Sequence, residues 1–314
     1  MSFNRRSFIR SNALIAGALL LSDTADALAS VTRQINTVSA SLEGVHIFHT
    51  NDMMGQVSRG FNGFGGLDLF NKNMQAQEFR GILLDGGGFL DAGQNPESHR
   101  SFVELMNQTG YHAATIGPAE LSAGQEYLAQ LAGIMSFDLL NCNYRFSNPL
   151  LTQKVKPYIV LKYGKHRIGI TGVGPEVHTE GVTYREPTES LAGVTRILKQ
   201  QENCSIVVCL AHLGFEGEVN NNLSLAKNSE EVDFIIGGKT LANKAHGTSV
   251  VKNKAGYDVF VSHTASRASV FNHTRFAANN TVEVRATIPG LTSKAGIARE
   301  LARLNPANSN NQLV

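Results

Sequence analysis

Short apolar runs, bounded by glycine and polar residues, alternate along the chain with amphipathic segments. Six runs predict buried strands: "VHIFHT" (45–50), "GILLDGG" (81–87), "AATIG" (113–117), "MSFDLLNCN" (135–143), "SIVVCLAHLG" (205–214) and "VDFIIGG" (232–238). Continuous apolar strands of this length suit a sheet covered on both faces. Helical spacing of apolar positions covers 66–79, 98–109, 124–132, 189–202 and 222–228. The alternation predicts an α/β layered fold.

A second group of segments predicts antiparallel strands. "YIVLKYGKHRIGITGV" holds Gly164-Lys165, a hairpin turn between two apolar runs. "YDVFVSHTASRASVFNHTRF" and "TVEVRATI" continue in the same style, so two sheets of mixed direction are expected. A last helix near 293–304 precedes the polar tail "NPANSNNQLV". No internal repeat and no interdomain linker stand out.

Composition narrows the function classes. The 314 residues are 42% hydrophobic and 17% charged, as in a packed globular protein, and the net charge of +2 does not argue for nucleic acid. Near the start, Arg5 and Arg6 precede Phe8, an apolar run covers 13–21, and "ALA" closes at Ala29. This is the pattern of a twin-arginine signal spanning 1–29, so the mature chain is expected to be exported folded to the periplasm. The competing reading, a short membrane anchor, meets an apolar run about half of the roughly 20 residues a spanning helix needs. No transmembrane segment is expected in the mature chain. Cys142, Cys204 and Cys209 sit in apolar stretches and predict buried free thiols rather than a disulfide framework.

Five strand-end loops carry the candidate chemistry. In order they read "HTNDMMGQV", "LLDGGGFLDAG", "TIGPAELSAG", "LAHLG" and "IIGGKTL". "DGGGF" has neither GxGxxG order nor a phosphate-binding lysine, and "HTASRAS" shows no nucleophile elbow. Taken together, the five loops resemble the metallophosphoesterase (calcineurin-like) domain of the 5′-nucleotidase family, whose pattern is roughly HTND-x-H, LDAGD, T-x-GNHEFD-x-G, L-x-HLG and IIGGHTH. The resemblance extends over about 40–285 and includes "GFGGLDLF", "NCNY" and "VKPYIV" before "RIGITGVG".

The resemblance implies a four-layer α/β/β/α sandwich with two mixed sheets over residues 30–290, followed by a C-terminal helix and polar tail over 291–314. It also implies two divalent metals (Mn, Zn, Mg or Ca), one bridging carboxylate, and an Asn–His pair serving a metal and the leaving group. Residue by residue, the implied set is depleted. Asp52 and His212 stand at ligand positions and keep the ligand. Met54 stands where a histidine is expected, and its thioether suits hard metals poorly. Gly88 stands at the bridging carboxylate, Pro118 at the metal-binding Asn, Ala119 at the catalytic His, and Lys239 and Leu241 at the two histidines of GGHTH. Two of the seven metal-ligand positions survive and the catalytic His does not, so a catalytic set is not expected and resident metals are not expected either.

Three acids near the loops, Asp85, Asp91 and Glu120, are the groups that could rebuild a metal site; Asp85 and Glu120 match support positions of the family. Lys239 is expected to pair with Asp52, and an anion pocket of Lys239, Asp52, His212 and Glu120 with the "GGG" amides is a further expectation. His46 and His49 lie on opposite faces of one strand by parity, and they, His263 and His273 predict structural roles. The expected function is that of an exported pseudo-phosphoesterase acting by binding or as a subunit of a cell-envelope assembly. The alternative is an active metal-dependent phosphoesterase or nucleotidase with a rearranged site. The chain is expected to be too short for the second, nucleotide-gripping domain of larger family members. Its expected partners are other envelope proteins or a separate chain carrying that domain, with no nucleic acid.

Overall fold

The computed structural model describes residues 35–38, 44–60, 63–76, 80–215, 217, 219–238, 247–277, 281–291 and 293–304. The expected signal segment 1–29, Lys239, Leu241 and the polar tail therefore lie outside the described residues. The strands, in chain order, begin with β1 (Ile35–Val38), β2 (Val45–Thr50), β3 (Ile82–Asp85), β4 (Ala113–Thr115) and β5 (Asp138–Leu140). The short strands β6 (Tyr144–Phe146) and β7 (Val155–Lys156) precede the hairpin β8 (Tyr158–Tyr163) and β9 (His166–Val173). After β10 (Val182–Tyr184) come β11 (Ile206–Ala211), β12 (Phe234–Gly237), β13 (Gly247–Lys252), β14 (Asp258–His263), β15 (Phe271–Phe276) and β16 (Val282–Thr287). The helices are α1 (Leu67–Ala76), α2 (Pro96–Thr109), α3 (Pro118–Leu121), α4 (Gln125–Ala132), α5 (Pro149–Lys154), α6 (Pro187–Arg196), α7 (Asn222–Asn228) and α8 (Lys294–Leu304).

One seven-stranded sheet runs β1-β8-β9-β11-β12-β14-β13 and the other β16-β15-β2-β3-β4-β5-β7; β10 pairs with β6 apart. Both are mixed: β2, β3, β4 and β5 are parallel, whereas β15 is antiparallel to β2 and to β16. Their facing sides share a core of Ile47, Leu84 and Leu140 against Ile168, Val208, Leu210 and Phe234. Phe70 and Phe102, on α1 and α2, cover the outside of the second sheet together with Leu128 of α4. Leu191, Val194 and Leu225 cover the outside of the first. The result is the expected four-layer α/β/β/α sandwich.

Two details differ from the sequence expectation. The run 257–276 is not one antiparallel continuation: β14 lies parallel to β12 in the first sheet, and the chain then crosses so that β15 joins the second. Arg267 and Ala268, with φ of 58° and 49°, make that crossing. α2 begins at Pro96 because the Asn95 side chain accepts from Ser98 N at 2.9 Å, a cap lying before the apolar spacing starts. α8 falls where the last helix is expected, and Leu301 packs with Leu291 on Ala265, Val270 and Ile288. The hairpin turn falls at Gly164-Lys165, with Gly164 at φ 58°. All three cysteines are buried and unpaired. No helix among the described residues is long and apolar enough to cross a membrane.

Two buried histidines, one bridging the sheets and one facing α7, set a pH dependence. His49 Nε2 lies 3.1 Å from Ser262 Oγ, across the sheet interface. His263 Nε2 faces the Asn222 side-chain amide at 3.1 Å, a donor that favours a neutral ring. Burial pushes His49 down to about 3, helped by His263, and pushes His263 down to about 4 against the pull of Asp52. The unfolded chain protonates both near 6.5, so stability is complete above pH 6.5 and falls as pH drops from there toward 4. Urea unfolding at pH 7.5 and pH 5 should differ by about 2 kcal/mol for each ring. His263→Gln should halve that difference.

Candidate functional site

The carboxyl ends of β2, β3, β4, β11 and β12 meet at one edge of the sandwich, the place where open α/β sheets hold their ligands. Backbone bonds lock these ends together. Gly86 N donates to Thr50 O at 2.8 Å, Asp52 N to Gly87 O at 2.9 Å, Met54 N to Gly88 O at 2.9 Å and Gly238 N to Ala211 O at 2.9 Å. Asp52 and Met54 take φ of 49° and 50°, uncommon for residues with side chains and typical of functional turns. Asn51, which the sequence did not single out, clamps this turn to the strand crossing: its Oδ1 accepts from Thr264 N at 2.9 Å and Thr264 Oγ1 at 2.6 Å, and its Nδ2 donates to Asp52 Oδ2 at 2.9 Å.

Asp52 and His212 are brought together. His212 Nε2 lies 3.9 Å from Asp52 Oδ1, and its Nδ1 is 3.2 Å from Gly86 O, which fixes a proton on Nδ1. The imidazole sits in a cage of glycines. A Cβ at Gly117 would lie 2.5 Å from His212 Cδ2, one at Gly238 2.2 Å from Nδ1, and one at Gly87 2.9 Å from Nδ1. A Cβ at Gly88 would lie 2.7 Å from Asp52 Oδ1 and 2.9 Å from His212 Cε1, and Gly88 has φ 71°. The strand-end glycines are thus the space that the His212 ring fills. Their clustering in "DGGG", "TIG" and "IIGG" was the available signal.

The remaining candidates point elsewhere. Met54 is 42% exposed, Pro118 is exposed at the start of α3, and Ala119 offers no donor. Asp91 Oδ1 accepts from Gly93 N at 2.9 Å within its own turn. Asp85, wholly buried, accepts from Thr50 Oγ1 at 2.6 Å and Gly87 N at 2.8 Å; burial pushes its carboxyl well up against these bonds. Glu120, 1% exposed, accepts from Gly117 N at 2.7 Å, Leu90 N at 2.9 Å and Gly88 N at 3.3 Å. Burial raises its pKa, while His212 and the three amides pull it back. The amides of Gly86, Gly87 and Gly88 serve Thr50, Asp85 and Glu120, and the Lys239 of the expected anion pocket lies outside the described residues. The pairing of Lys239 with Asp52 lies outside the described residues.

These groups do not fit a pair of metals. Asp52 and His212 offer one carboxylate and one imidazole, Glu120 is spent on backbone amides, and Gly88 has neither a ligand nor room for one. Among the described residues no group of three His, Cys, Asp or Glu side chains could hold an ion.

No family model matches the chain. It is 26% identical over 219 residues to a 5′-nucleotidase of Vibrio cholerae, covering 61% of this chain and 39% of that protein. The crystal structure of a 5′-nucleotidase precursor from Thermus thermophilus superposes with a TM-score of 0.68 at 22% identity, over 83% of this chain and 58% of that one. The chain has the metallophosphoesterase fold of the 5′-nucleotidases. The calcineurin-like phosphoesterase YfkN from Bacillus subtilis shares it with a TM-score of 0.61 at 16% identity, over 83% of this chain and 96% of that one. The chain spans less than half the length of the curated relatives it matches. The 5′-nucleotidase fold accounts for the convergence of five strand ends on one edge.

Proposed function

We propose that the chain is a non-catalytic member of this fold, exported through its Arg5-Arg6 signal, which acts by binding as a subunit of a cell-envelope assembly. The observation that carries this reading is Gly88. At the position of the bridging carboxylate, the left-handed backbone and the approach of Asp52 and His212 leave no place for a side chain. Loss of the ligand is thus matched by closure around it, while the framework that supports the loops persists. Glu120 still organises three amides, and Asn51 still clamps the Asp52 turn.

Purified mature protein assayed with Mn, Zn, Mg or Ca against nucleotides and a generic phosphate ester should show no metal-dependent turnover. Turnover that Asp52→Asn abolishes would overturn the proposal and establish a phosphoesterase with a rearranged site. Gly88→Asp should not restore activity and should cost about 2–4 kcal/mol of stability, from overpacking and backbone strain. Affinity purification of the tagged chain from its native envelope should recover a stoichiometric partner. Recovery of the chain alone would sink the assembly role.

A further inference from the structure

The outer face of β2, β15 and β16 carries a second cluster of chemistry, remote from the strand-end loops. His46 is the second residue of β2, six residues before Asp52, or about 20 Å along an extended chain. The register sets His46 opposite Arg275, Arg275 opposite Glu283, and His273 opposite Arg285. Residues paired across a ladder share a face, and these five side chains line a cleft of about 190 Å³. His46 Nδ1 and His273 Nε2 are 2.8 Å apart, so one proton is shared between the rings. His273 stacks on Phe48 with centroids 4.1 Å apart, which fixes its plane.

Among the described residues that line the cleft, the side-chain charges are two guanidinium groups and one carboxylate. Arg275 grips Glu283 through Nε and Nη2. Arg285 reaches the same carboxylate only at 3.8 Å and is 76% exposed. Glu283 is thus within reach of both guanidinium groups. The positive field is felt next door: burial, then His46, Arg285 and Arg275, push His273 down to about 4, against the pull of Glu283. A guanidinium presents a planar fork of donors that matches phosphate oxygens. The cleft is smaller than the roughly 300 Å³ at which pockets for whole drug-sized ligands begin.

We propose that this cleft binds a small phosphate group, with Arg285 and Arg275 as charged donors and the His46–His273 pair as its hydrogen-bonding neighbour. Glu283 competes with the anion for Arg275, which gives the test two variants of opposite sign. Calorimetric titration of the mature chain at low salt with inorganic phosphate, pyrophosphate and glycerol 2-phosphate should show saturable one-to-one binding. Arg285→Ala should weaken it about tenfold, the loss of one charge-assisted bond, and Glu283→Gln should strengthen it several-fold. Tightest binding of inorganic phosphate or pyrophosphate would make the ligand a free ion, and tightest binding of glycerol 2-phosphate would make it an esterified phosphate; either fits the proposal. No binding at millimolar ligand, an Arg285→Ala variant that binds like the parent, or weaker binding by Glu283→Gln would overturn it. Because Arg285 is exposed, its variant should keep the parent circular dichroism spectrum and melting temperature.

Discussion

Gly117→Ala is expected to destabilise the folded chain by about 2–3 kcal/mol, and most of that loss should vanish when His212 is also replaced by alanine. Gly117 has φ −110°, which alanine adopts freely, so the penalty does not come from the backbone. It comes from a methyl group placed 2.5 Å from His212 Cδ2 and 2.8 Å from Nε2. Removing the imidazole removes the collision, which makes the pair suited to a double-mutant cycle. Urea unfolding of the parent, both single variants and the double variant should give a coupling of about 2 kcal/mol. For a chain of this size the single Gly117→Ala variant should melt about 5–10 °C lower. Additive losses would mean that the ring does not fill the glycine cage.

Glu120→Ala should cost more, about 3–5 kcal/mol, because three buried backbone donors lose one acceptor at once. Gly88, Leu90 and Gly117 belong to two of the converging loops, so the damage should reach both. Their amides should exchange with solvent much faster in the variant, while helices remote from the site keep their protection. Glu120→Gln retains an acceptor oxygen and should lose about half as much. The pH dependence has a definite sign. Burial raises the Glu120 pKa above its ordinary 4.5, so the folded chain holds the proton more tightly than the unfolded chain. Stability conferred by this group is complete below 4.5 and is lost as pH rises through the folded value. The difference between parent and Glu120→Gln should shift in that direction as pH rises, and a shift of the opposite sign would contradict burial as the dominant cause.

The sequence made the frame of this site legible and left its interior hidden. Strands β3, β11 and β12 are almost wholly apolar, β2 is largely buried, and all four end in polar or glycine-rich turns, so their positions and the order of their loops could be read directly. The same loops showed which residue types stand at the positions where the resemblance implies ligands. The short strands β6, β7, β10 and β13 escaped because two or three residues, or an exposed edge, leave no apolar run; Val250 on β13 is 55% exposed. The approach of His212 to Asp52 depends on two sheets packing face to face, and no local pattern records it. Glycines at 87, 88, 117 and 238 looked like turn residues, yet their lack of a Cβ is a packing requirement set by a ring from another strand. His46 and His273 are 227 positions apart, so only the β2–β15 register could show them as a pair.

The central claim is that Asp52 and His212 no longer belong to a metal centre. Equilibrium dialysis of the mature chain against Mn and Zn, followed by elemental analysis, tests it most directly. The account predicts well under one ion per chain, unchanged by Asp52→Asn. Two ions per chain, or one ion that Asp52→Asn releases, would contradict it.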